Sequence, residues 1–196
     1  MISKKRHPNL FNRENSALLL VDYQERFAPV LPDNKSIVKN ITFLLSGAQI
    51  YKVPIFVSEQ VPEKLGPTIS ELKNCIKDAF WFSKKPMSCC GNTSFLEELK
   101  KKNIKQIAVC GIEAHVCVLQ TSFDLLSLGY QVHVVSDAVT SRVLHNKSIG
   151  LEKIKNAGGI ITSVETVLFE IAYEAGNDEF KQLQQLFKSN ELVSPK

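Results

Sequence analysis

The sequence predicts an α/β domain of three layers, α/β/α, with a central, mainly parallel six-stranded sheet. Three observations carry this. Six short apolar runs suit strands buried on both faces. Amphipathic stretches at helical spacing alternate with them. Strand, helix, strand in succession gives right-handed crossovers, hence parallel neighbours with helices on both faces. The chain of 196 residues is long enough to bury one core. It shows no repeat, low-complexity tract or linker, so residues 1–196 are read as one domain.

Residues 17–21 form a continuous apolar run, the first strand. Residues 36–51 place Ile37, Ile41, Leu44, Leu45 and Ala48 near helical spacing. Residues 54–57 are a strand opened by a proline at an edge position. Residues 61–68, with Pro62, Gly66 and Pro67, read as a loop over one end of the sheet. Residues 79–83 are an aromatic strand, and residues 92–102 a helix with Phe95, Leu96 and Leu99 on one face. A buried strand is expected at 106–110, then a helix at 115–128 stopped by Gly129. Strands at 132–135 and 160–162 flank a helix at 147–157, and terminal helices cover 164–173 and 178–187.

Composition excludes several classes. Hydrophobic residues make up 44% and charged residues 22%, an ordinary globular balance. The net charge of +4 comes from 24 basic and 20 acidic residues, with no basic stripe interleaved with aromatics, so no nucleic-acid partner is expected. No apolar run approaches a membrane span, so no membrane partner is expected. The basic start (Lys4, Lys5, Arg6) is followed by polar Asn12 to Asn15 rather than an apolar core, which argues against a secretory leader. Five cysteines without framework spacing suit a reducing cytoplasm.

In open α/β sheets ligands bind beyond the carboxyl ends of the strands. The first strand ends at Asp22, which is either a rim acid or a cap of the next turn. The fourth leads into Cys110 to Cys117, where a helix begins. Cys117 then sits in the first helical turn, whose dipole favours a thiolate and whose free N–H groups can hold an oxyanion; a buried, inert cysteine is the alternative. No Cys-x-x-Cys pair occurs, the four histidines lack ligand spacing, and no phosphate-cradling glycine loop comes after the first strand. No metal and no nucleotide cofactor is therefore expected.

Five ordered blocks resemble the isochorismatase-like cysteine hydrolases. They are Ala17 to Gln24; Ser58-Glu59-Gln60 with Leu65 to Thr68; Lys84 to Ser88; Gly111 to Val118; and Ser136 to Arg142. The likeness runs from Asn15 to Ala175 and is greatest to the isochorismatase domain-containing subgroup. It implies a Rossmann-like sheet and a catalytic set of Asp22, Lys84 and Cys117. Asp22 is the base, Lys84 the electrostatic partner, and Cys117 the nucleophile that forms a thioester with a small amide or related acyl compound. Met87 and Ser88 select Lys84 over its neighbour Lys85. The resemblance also implies an oxyanion hole at the N–H groups of Cys117 and Glu113, with a cis Ile112–Glu113 bond, and a homo-oligomer. Phe27, Gln60, Phe82, Met87 and Glu113 are candidate pocket walls. The metal-binding histidines of nicotinamidases are replaced here by Ser58-Glu59-Gln60-Val61-Pro62, and no pair of arginines awaits a dianionic substrate. A catalytically idle binding protein with the same fold, and a thiol redox enzyme, are the competing readings.

Overall fold

A computed structural model describes residues 6–189. The first strand, β1 (Ser16–Val21), is buried throughout. It leads to α1 (Asn34–Ile50), then β2 (Ile55–Gln60), the short helices α2 (Pro62–Leu65) and α3 (Ser70–Cys75), and β3 (Phe80–Lys84). The second half runs α4 (Thr93–Lys101), β4 (Gln106–Ile112), α5 (Cys117–Ser127), β5 (Gln131–Thr140), α6 (Leu144–Asn156), β6 (Ile160–Thr162), α7 (Val164–Ala172) and α8 (Asp178–Ser189). The six strands lie in the order β3-β2-β1-β4-β5-β6. Every pairing is parallel.

The two-residue period of β1 divides the core. Leu18 and Leu20 join the cluster under α1, α3, α7 and α8. Ala17, Leu19 and Val21 join the cluster under α4, α5 and α6. Strand order reverses between β1 and β4, and this switch point opens the crevice at their carboxyl ends. The two strands approach closely there. Gly111 has φ +120° and pairs with Val21, and a Cβ on it would stand 2.2 Å from the Val21 carbonyl oxygen. Only glycine fits.

Three elements differ from the expectation. β5 runs to Thr140, past a register shift opposite Val109 and Gly111, where periodicity predicts a strand ending at 135. α2 falls within the segment 61–68 read as a loop, and α3 follows where no element is assigned above. The apolar residues of α8 pack on the domain itself: Leu183 is fully buried, and Phe187 meets Phe43 edge-on and stacks on Phe169. Lys4 and Lys5 lie outside the described residues.

Candidate functional site

The candidates come from the ends of four strands and the start of one helix. At the ends of β1 and β4 the chain turns through left-handed residues, Asp22 (φ +51°) and Glu113 (φ +56°). Such conformations are costly for side chains larger than glycine and persist where packing enforces them. The turn after β1 carries Asp22 into the crevice. The turn after β4 starts the loop that delivers Cys117 as the first residue of α5. As at any helix start, the Cys117 N–H donates to no backbone acceptor among the described residues.

Lys84 closes β3. Its Nζ donates to Asp22 Oδ2 (2.6 Å), Gln60 Oε1 (2.5 Å) and the Met87 carbonyl (2.9 Å). The Lys84 side chain is 0% exposed and that of Asp22 2%, so the ion pair is dry. Ser58 Oγ donates to the other carboxylate oxygen, Asp22 Oδ1, at 2.7 Å. Lys85 points out to solvent, as alternation along an extended chain requires.

Cys117 is 6% exposed. Its thiol is pushed up to about 12, first by burial and then by the charge of Asp22, with Lys84 opposing and a hydrogen bond to Asp22 adding to the rise. This reverses the expectation of a depressed thiol. A helix terminus contributes about 0.3–1 kcal/mol, less than one pKa unit, and burial next to a carboxylate outweighs it. Burial and the Asp22 charge favour the neutral thiol, which lies beside that carboxylate and whose Sγ donates to Met87 Sδ at 4.0 Å.

These side chains lie at one end of a cavity of about 260 Å³ lined by Asp22, Phe27, Gln60, Leu65, Met87, Ile112, Glu113, Val116, Cys117 and Arg142. Of the expected walls, Phe27, Gln60, Met87 and Glu113 stand here, but the Gln60 amide is engaged on both sides, accepting from Lys84 and donating to the Lys85 carbonyl (2.6 Å). Phe82 does not line the cavity. It stacks on Phe95, with centroids 4.8 Å apart, in the core beneath the site. Strand alternation puts Phe82 on the same face as Lys84, but two residues deeper. The expected cis bond is absent too: Ile112–Glu113 is trans, since no described peptide bond is cis, and the left-handed φ of Glu113 makes the turn.

Glu113 is buried and accepts from Arg142 through both its backbone N–H (3.2 Å) and Nε (3.0 Å). Arg142 also lies over the Phe27 ring, 5.9 Å from its centroid. The sequence alone does not single out Arg142, although it closes the 136–142 block. Nor does it single out Ser58 or Gln24, whose amide donates to the carbonyls of Gln60 (3.0 Å) and Gly66 (2.6 Å) and ties the loop carrying Leu65 over the cavity. No group of three or more His, Cys, Asp or Glu side chains suited to a metal occurs among the described residues.

Known proteins share this sequence pattern and fold. The isochorismatase domain matches residues 16–166. The secreted isochorismatase effector Isc1 of Phytophthora sojae is 39% identical over 182 residues, covering 90% of this chain and 86% of that protein. Among solved structures, the MAR1 ribonuclease of Caenorhabditis elegans is 35% identical with a TM-score of 0.87, covering 95% of this chain and 94% of the other. The YcaC gene product of Escherichia coli, described as an octameric hydrolase of unknown specificity, shares the fold at 22% identity and a TM-score of 0.88, covering 95% of this chain and 93% of its own. With three quarters of its length matched and relatives above one third identity spanning nearly all of it, this chain belongs to the isochorismatase family.

Proposed function

We propose that this chain is a cysteine hydrolase that cleaves a C–N bond in a small amide or related acyl compound. The observation that supports it is the convergence of Cys117, Asp22 and Lys84 at the end of a small cavity, with the carboxylate and ammonium joined at 2.6 Å. As Sγ of Cys117 attacks the carbonyl carbon, its proton passes to Asp22. The developing oxyanion lies toward the free N–H of Cys117 at the start of α5. Asp22 returns the proton to the departing nitrogen and a thioester remains. Water, deprotonated by Asp22, then releases the acid and restores the thiol. Lys84 stays charged throughout, offsetting the carboxylate before and after each transfer.

The cavity bears on the substrate. Phe27, Leu65, Met87, Ile112 and Val116 supply apolar wall, and the charges of Glu113 and Arg142 are turned on each other. A compact neutral acyl compound fits better than a dianion. A relative is named a ribonuclease, but about 260 Å³ around a buried thiol suits a small molecule, not a polynucleotide. One thiol beside a carboxylate that is paired to an ammonium is not a metal's donor set, so turnover should persist in EDTA. All five cysteines are free thiols, which suits a cytoplasmic protein. No helix among the described residues is long and apolar enough to cross a membrane. Met87, which lines the cavity, and Val143 and Leu144, which follow cavity-lining Arg142 in the chain, are exposed apolar residues, and we place the contact of a homo-oligomer there.

The test is a panel of small amides, with RNA as a control polymer, assayed for amine release by the wild type and Cys117→Ala. Loss of turnover in the variant, with an acyl adduct on Cys117 caught by mass spectrometry in the wild type, is expected. Equal turnover by both proteins would refute the assignment.

A further inference from the structure

We propose that Ser58 and Gln60, both on β2, are positioning residues for the reaction at Cys117. From the strand between them, they hold the carboxylate and the ammonium of its two partners. The inference rests on the roles assigned above to Asp22, Lys84 and Cys117, and it adds a strand that contributes none of the three.

The sheet order makes the arrangement. β2 lies between β1, which ends at Asp22, and β3, which ends at Lys84. In the parallel register Ser58 is opposite Val21, one residue before the carboxylate, and Gln60 is opposite Lys84 itself. Residues 58 and 60 are two apart, so their side chains share a face. Each then meets one member of the ion pair. Ser58 is fully buried and donates to Asp22 Oδ1 at 2.7 Å, while Lys84 donates to Oδ2 at 2.6 Å. With a separate donor on each oxygen, the carboxylate cannot rotate about its own bond without breaking both. Without Ser58, only Lys84 would orient it, and the carboxylate could turn away from the thiol.

Gln60 does the same for the ammonium. Its Oε1 accepts from Lys84 at 2.5 Å, its Nε2 donates to the Lys85 carbonyl at 2.6 Å, and its own backbone N–H donates to Gln24 Oε1 at 2.8 Å. A flipped amide would point N–H groups at the ammonium, so the orientation is fixed. The three ammonium protons are thereby directed to Asp22, Gln60 and the Met87 carbonyl. The groups facing Asp22 are Lys84 from β3, the Cys117 thiol from α5, Ser58 from β2, and the fully buried Cys89 thiol, which also lies against Ser58.

Acrylamide addition to Cys117 reads these roles without a known substrate. Sγ bonds to the terminal alkene carbon, the S–H bond breaks, and the proton passes through Asp22 to the carbon beside the carbonyl. Adduct formation is mapped by mass spectrometry from pH 4 to 11 in the wild type, Ser58→Ala, Ser58→Thr, Gln60→Leu and Asp22→Asn, each checked for folding by circular dichroism. In Ser58→Ala the carboxylate loses a donor that stabilises its charge. Addition near neutrality should slow about tenfold and the acid limb should move up by about one pH unit. Ser58→Thr, which keeps the hydroxyl, should restore both. In Gln60→Leu the ammonium is less well held, its support of the thiolate weakens, and the alkaline rise should begin at higher pH. Should Ser58→Ala not fold, Ser58→Cys keeps the volume, weakens the donor and should show a smaller shift in the same direction.

An unmoved acid limb, or equal losses in Ser58→Ala and Ser58→Thr, overturns the role of Ser58. An unmoved alkaline onset in Gln60→Leu overturns that of Gln60. In both cases a neutral-pH rate that still requires Asp22 leaves the hydrolase reading intact. Addition at Cys117 no faster than at the half-exposed Cys90 in the wild type would sink both.

Discussion

Replacing Lys84 by Met tests the ion pair at the heart of the site. The substitution keeps chain length and removes the ammonium, so the Asp22 carboxylate, the Gln60 carbonyl and the Met87 carbonyl each lose their partner. Breaking a buried ion pair by removing one member costs about 3–5 kcal/mol, because the other charge is left unsolvated. For a domain of this size each kcal/mol lowers Tm by roughly 2–4 °C, so a fall of about 6–20 °C is expected. The double variant Asp22→Asn with Lys84→Met removes both charges and should recover much of that loss while remaining inactive. Lys85→Met removes an exposed charge, should change stability by no more than about 0.5 kcal/mol and should leave activity unchanged. Thermal and urea melts of the four proteins, together with their turnover of one amide found active for the wild type, complete the comparison. If Lys84→Met is as stable as Lys85→Met, the ion pair is not held as described. If Lys84→Met retains full activity, the electrostatic role of Lys84 is wrong.

Burial and charge give three further expectations. Asp22→Asn removes the carboxylate proposed to take the Cys117 proton, so alkylation near neutrality should slow and amide turnover be lost, while the alkaline ionisation of the thiol, which the Asp22 charge helps hold up, should begin at lower pH; an unmoved alkaline onset would count against their contact. His133 is held down to about 4 by burial alone, edge-on to Phe11 with centroids 5.1 Å apart. Its folded value lies below the unfolded value of about 6.5, so the unfolded chain binds the extra proton, and its share of stability is complete above about pH 6.5 and declines toward pH 4 by about 3 kcal/mol. His133→Leu should flatten that acid limb in urea melts, and an unchanged slope would refute it. Light scattering at micromolar concentration should give an oligomer that Val143→Lys and Met87→Lys weaken, and a wild-type monomer would exclude the proposed contact.

The fold is legible in the sequence because its signals are local and redundant. The apolar run 17–21 and the alternation of strands with helices admit few other architectures, and all pairings are parallel. The ends of elements are less so: β5 continues through a register shift that has no periodic signature. At the site, Asp22 and Cys117 can be read from their places after strands. Lys84 cannot, since two adjacent lysines look alike until a sheet buries one of them; only the resemblance separates them. Phe82 is misplaced by the sequence because alternation gives the face of a strand but not the depth along it. The sign of the Cys117 shift is hidden because the sequence shows a helix start but not how much water reaches it. Ser58 carries no local signal because its meaning depends on β2 lying between β1 and β3, which is a fact of topology.

The raised thiol has a consequence for the protein's durability. Peroxide attacks thiolates, and susceptible cysteines are those that are both ionised and exposed. Burial pushes Cys75, Cys89, Cys90, Cys110 and Cys117 upward alike, so at neutral pH none of the five offers a standing anion. A nucleophile that exists as an anion only while a carbonyl carbon is in front of it gives an oxidant nothing to react with between turnovers. On the mechanism proposed above, the burial that makes Cys117 depend on Asp22 also shields it from conversion to sulfenic acid, and activity should outlast oxidative exposure that silences enzymes with a preformed thiolate.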